Sequence, residues 1–72
     1  MIRMYELEER FNNTGREGVQ YLSDAELREL YLLYDSCIEY FNLTNNRAIE
    51  QWFIYKSISV KNTLWARNLY VD

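Results

Sequence analysis

Residues 22–42, LSDAELRELYLLYDSCIEYFN, decide how the rest of the chain is arranged. Ser23 stands three positions before Glu26, the spacing at which a hydroxyl accepts from the Glu26 amide while the carboxylate reaches back to the Ser23 amide. Leu22 and Leu27 bracket that cap at hydrophobic-staple spacing. Asp24, Glu26 and Glu29 place negative charge at the positive end of the helix dipole. Beyond the cap, Leu27, Leu30, Tyr31, Tyr34, Cys37, Ile38 and Phe41 recur at steps of three and four, one face of an α-helix and no face of a strand. Leu33 and Tyr40, seven apart, form a second shoulder, and the apolar arc then covers more than half of the circumference. An arc that wide predicts contacts on two sides of the helix. Asn42 is a residue type that tolerates the left-handed conformation ending many helices, and Thr44, Asn45 and Asn46 are candidate caps for the helix that follows.

A chain of 72 residues is one small domain, and domains of this size bury only about 60% of their unfolded surface. Disulfides cannot reinforce it, because Cys37 is alone, and one cysteine without histidine makes a structural metal or a metal cofactor unexpected. Seven Tyr, three Phe and two Trp supply the apolar payload instead, with polar tips that suit interfaces. The lone cysteine is expected as a small core residue in a reducing compartment. Glycosylation patterns at Asn12 and Asn42 are read as chance, since no basic-apolar leader precedes them. No apolar run approaches the roughly 20 residues of a membrane span. The expectation is a soluble, cytoplasmic protein.

Outward from the central helix the chain is less decided. Residues 1–11, MIRMYELEERF, place Met4, Leu7 and Phe11 on a helical stripe, and their Glu and Arg content favours helix. Tyr5, Leu7 and Phe11 also fit period-two alternation, which would pair with residues 18–22 as a β-hairpin. Residues 12–18, NNTGREG, hold both glycines and form a loop. Residues 47–56 place Ala48, Ile49, Trp52 and Phe53 on one helical face. In YKSISVKN, residues 55–62, Ile58 and Val60 alternate with polar residues as a strand would. Ile54, Ile58, Trp65 and Leu69 equally share a helical face, and with no glycine or proline after Gly18 the helix is expected to continue or restart at Ser59 or Asn62 and run to about Tyr70. The fold class is therefore mainly α, a three- to four-helix bundle around a central helix at about 23–42. The alternative is α+β with a hairpin across about 2–22.

No constellation of residues carries chemistry. Histidine, the commonest acid–base residue, is absent. Cys37 lies in an apolar helix stripe, where thiols are usually inert. The carboxylate pairs Glu6/Glu9 and Asp35/Glu39 have the spacing of ordinary solvated helix faces, and neither glycine enters a phosphate loop. Enzymatic activity, a cofactor and a metal are not expected.

Charge divides the chain unevenly, with a balance of −4 over residues 1–36 and +1 over 37–72. Arg47, Lys56, Lys61 and Arg67 interleave with aromatics, the mixture single-strand binders use for backbone and stacking contacts. Four cations on an acidic chain make a weak electrostatic footprint. The acidic half could instead imitate a nucleic acid, but Arg3, Arg10, Arg16 and Arg28 dilute its field. Aromatic composition favours a protein partner, because Tyr and Trp are enriched in binding hot spots. The candidate contact residues are Tyr31, Tyr34, Tyr40, Trp52, Tyr55, Trp65 and Tyr70.

In composition the chain resembles the short, acidic, Asn- and Tyr-rich proteins that bacteriophages use to block host or defence complexes, a likeness over its whole length that transfers no sites. The resemblance implies a stoichiometric inhibitor acting by steric occlusion. The alternatives are a nucleic-acid binder using residues 45–70 and a homodimeric structural protein.

Overall fold

The central segment forms α2 (Asp24–Leu43), and its start is built as its residues require. Glu26 N donates to Ser23 Oγ at 3.2 Å and Ser23 N donates to Glu26 Oε1 at 3.0 Å, so the capping box is closed in both directions. Leu22 and Leu27 both lie in the buried core, one on each side of the cap. Before α2 comes α1 (Ile2–Asn12), and after it α3 (Arg47–Ala66). The computed structural model describes residues 2–12 and 22–69. Among these residues there are three helices and no strand, a small helical bundle. No helix among them is long and apolar enough to cross a membrane.

The hairpin alternative fails at its first strand. Met4 and Leu7 are buried and Phe11 packs against the core, while Tyr5 is 61% exposed. That is the three-and-four spacing of a helix; alternation would have placed Tyr5 beside Leu7. Most of the proposed second strand lies outside the described residues.

The third helix continues without a break, one of the two courses expected for it, because nothing in residues 55–62 interrupts it and Val60 and Leu64 are drawn into the core. It ends at Ala66, and the face it buries is a correction. Its buried line is Phe53, Ser57, Val60 and Leu64, at steps of four, three and four. Ala48, Ile49 and Trp52 are exposed, and of the face expected for residues 47–56 only Phe53 turns inward. The serine in that line hid it. Ser57 is half-buried and its Oγ donates to the Ile54 carbonyl at 2.8 Å, so the hydroxyl is satisfied within the helix.

Both long helices end alike. Asn45 (φ 59°) and Asn68 (φ 61°) adopt the left-handed conformation. Asn46 N then reaches back to the Phe41 carbonyl at 2.9 Å, and Leu69 N to the Leu64 carbonyl at 2.8 Å. With Asn45 N on Asn42 O and Asn68 N on Trp65 O, each end is a Schellman motif with asparagine in place of the usual glycine. The left-handed residue after α2 is thus Asn45, not Asn42, which stays helical and uses its side-chain amide to bind Glu50 at 2.8 Å. Asn46 is the N-cap of α3 but makes no side-chain cap bond.

The helix α2 is central in space as well as in sequence. It packs along α3 as a helical hairpin, and α1 lies against α2. Ion pairs fasten the edges of this arrangement. Arg3 grips Glu29 with Nε at 3.0 Å and Nη2 at 3.1 Å, and Arg10 binds Glu26. Arg67 Nη1 donates to Asp24 Oδ1 at 2.9 Å and to the Leu22 carbonyl at 3.0 Å, tying the end of α3 to the start of α2. The Ser23 amide and Arg10 hold the Glu26 carboxyl well below the usual range, at about 2, and Arg3 lowers Glu29.

Candidate functional site

The aromatic candidates divide by position once the core is filled. Tyr34 is buried and is not a contact residue, a correction to the sequence expectation. It falls in the middle of the α2 stripe, where burial, with the Glu8 carboxylate nearby, pushes its hydroxyl above the ordinary tyrosine range. Tyr31 is half-buried against the same core. Tyr40, Trp52, Tyr55 and Trp65 are exposed, at 61%, 61%, 77% and 61%. Tyr70 lies outside the described residues.

Three of those four are on α3. Ile49, Trp52, Tyr55 and Ile58 follow one another at steps of three, a row that winds as a continuous ridge around a helix. All four are exposed, Ile49 and Ile58 at 39% and 49%, and Trp65 stands two turns beyond Ile58. The ridge crosses the side of α3 that faces away from the buried line of Phe53, Val60 and Leu64. The sequence pattern groups Ile49 with Ala48, Trp52 and Phe53 on one helical face, and Ile58 with Ile54, Trp65 and Leu69 on another. The i, i+3 row was the signal that joins Ile49 and Ile58 to Trp52 and Tyr55, and it became readable only after the core line was fixed.

Lys56 holds the middle of the ridge in place. Its Nζ lies 4.9 Å from the centre of the Trp52 ring and 5.3 Å from that of Phe53, within cation–π range. The same ammonium binds both carboxylate oxygens of Glu8, at 3.2 and 3.3 Å. A glutamate on α1, a lysine on α3 and an exposed tryptophan are thereby linked in sequence. Beside this chain is a small cleft of about 160 Å³ between α1, α2 and α3, with Phe11, Asn12, Tyr55 and Ser59 among its walls. Phe53 continues the aromatic cluster inward, stacked on Phe41 at 5.7 Å with the planes 7° apart, and Tyr40 meets Phe41 edge-on at 5.1 Å.

The cations proposed for nucleic acid are not gathered on one surface. Lys56 is engaged with Glu8 and Arg67 with Asp24, while Arg47 is exposed at the start of α3 and Lys61 is half-buried. The acidic half is similarly tied up in part, with Glu8, Asp24, Glu26 and Glu29 all in ion pairs. Among the described residues no three Asp, Glu or Cys side chains form a metal-binding cluster. Cys37 is buried with its Sγ 3.9 Å from Met4 Sδ, and burial raises its thiol above the ordinary value.

Compared with protein-family models, curated proteins and solved structures, the chain matches none.

Proposed function

We propose that this chain is a non-enzymatic protein-binding module that acts stoichiometrically, occluding a surface of a larger protein or complex in the manner of a small phage-type inhibitor. The exposed ridge Ile49–Trp52–Tyr55–Ile58 is the observation that carries this reading. Monomeric proteins seldom leave rows of large apolar side chains in water unless something binds them. Tryptophan and tyrosine give much contact area at low entropic cost, and Trp52 is already oriented by Lys56 before any partner arrives. The cleft beside Tyr55 offers an anchor point at the edge of the ridge. A protonated, buried Cys37 and carboxylates engaged in ion pairs give no support to catalysis.

The test compares wild-type protein with Trp52→Ala/Tyr55→Ala as bait in extract of the source cell. Proteins retained by wild type and lost with a folded double variant support the proposal. Retention that ignores the ridge overturns it, as does substrate turnover by pure protein. Retained nucleic acid that is released by salt and by Lys61→Glu or Arg67→Glu would establish the nucleic-acid alternative instead.

A further inference from the structure

The helices α2 and α3 are fastened to each other at both ends by contacts in which α1 takes no part. At one end Arg67 joins Asp24 and the Leu22 carbonyl; at the other Asn42 binds Glu50 and Phe41 stacks on Phe53. Between the ends, Leu27, Leu30 and Tyr34 share the core with Val60 and Leu64. The helix α1 is held differently. Its 11 residues are fewer than the roughly 12–15 that an isolated helix needs to be even marginally stable in water. It gives Met4 and Leu7 to the core, and its remaining printed ties are charges on its two flanks. Arg3 and Arg10, two turns apart, reach Glu29 and Glu26 on α2, and Glu8 reaches Lys56 on α3. Arg3 also lies 3.8 Å from Glu26 and 3.6 Å from Glu6 of its own helix. The side chains of Arg3, Arg10 and Glu29 stay 48%, 45% and 42% exposed, so water and salt screen the pairs on the α2 flank.

We propose that α1 is a strap that undocks as a unit while the α2–α3 hairpin stays folded, with the ion pairs on its flanks setting how often it does so. Undocking separates Met4 from Cys37, whose sulfurs are 3.9 Å apart, and withdraws Glu8 from Lys56. The first change bares the thiol. The second leaves the Lys56 ammonium to the Trp52 and Phe53 rings alone, so the state of α1 reaches the exposed side of α3. The strap goes beyond the proposed function and stands whether or not the α3 ridge binds a protein. Its opening costs less than global unfolding, because the hairpin keeps its own contacts, and it exposes less surface, so it responds less steeply to urea.

Native-state hydrogen exchange of the full chain in sub-denaturing urea tests this. The amides of Leu7–Phe11 are expected to exchange through one shared opening, faster and with a shallower urea dependence than those of Leu30–Cys37 and Val60–Leu64. Arg3→Gln weakens docking and should speed that opening roughly two- to fivefold, the range of exposed ion pairs. Arg67→Gln weakens a tie that is intact whether α1 is docked or not, so it should speed exchange in α2 and α3 and leave the α1 opening unchanged. Modification of Cys37 by a thiol reagent in the native protein should follow α1, faster with Arg3→Gln and unmoved by Arg67→Gln. Exchange of α1 in step with α2 and α3 is global unfolding, and exchange graded from the Ile2 end is fraying; either overturns the inference. So does an α1 opening indifferent to Arg3→Gln. A modification rate that ignores Arg3→Gln, with reagent entering by the shallow α2 groove that Cys37 also borders, overturns the link between strap and thiol.

Discussion

Leu64 and Tyr55 belong to the same helix and to opposite faces of it, and a pair of alanine substitutions measures that difference. Leu64 is 2% exposed and packs in the core with Val60 and Leu27. Truncating a buried leucine removes its transfer free energy and leaves a cavity, about 2–4 kcal/mol for a site that relaxes partly. A domain of this length has roughly 4–11 kcal/mol of stability in all, so Leu64→Ala should remove a large fraction of it. At about 4–8 °C per kcal/mol for a domain of this size, the melting temperature should fall by on the order of 10–25 °C. Tyr55 is 77% exposed and keeps only about a quarter of its surface from water. Taking about 50 Å² at about 25 cal/mol per Å² gives roughly 1 kcal/mol, which the better helix propensity of alanine reduces by about half. Tyr55→Ala should therefore shift the midpoint by only a few degrees. Thermal unfolding followed by far-UV circular dichroism reads both. Equal losses, or a greater loss for Tyr55→Ala, would mean that α3 is turned about its axis relative to the structure, and the ridge would no longer be a surface feature.

The remaining predictions concern caps, charge and the thiol. Ser23→Ala removes one arm of the capping box and should lower stability by about 1 kcal/mol, visible as a lower urea midpoint with an unchanged slope. Glu26 has its folded-state pKa depressed from 4.5 to about 2, so its contribution is complete above about 4.5 and is lost as pH falls towards 2. Glu26→Gln should therefore be less stable than wild type at neutral pH, with the difference closing over that acid window; a constant difference down to pH 2 would refute the linkage. At Asn45, held at φ 59°, Asn45→Gly should be tolerated and Asn45→Val should be destabilising by roughly 1–2 kcal/mol, as denaturant titration would report. Cys37, buried with its thiol pKa raised, should react with a thiol-specific reagent far more slowly in the native protein than in denaturant, and equal rates would place it at the surface.

Much of this protein was decided by local sequence. The start of α2 needed only Ser23, Glu26 and the leucines on either side, because capping chemistry acts over three or four residues and requires no distant partner. The core stripe of α2 and the outline of α1 follow from periodicity for a similar reason: one side of each helix must leave water. What local pattern could not settle was the rotation of α3, since its aromatic and aliphatic residues lie all around it. Only packing against Phe41, Tyr34 and Leu27 chose Phe53, Val60 and Leu64 for the interior and turned Trp52 and Tyr55 outward. The pairing of Lys56 with Glu8, 48 positions away, likewise had no sequence signal, because charges that meet across helices are brought together only by the fold. Composition announced an excess of aromatic surface; the tertiary structure decided which rings remained there, because a core this small has room for only some of them.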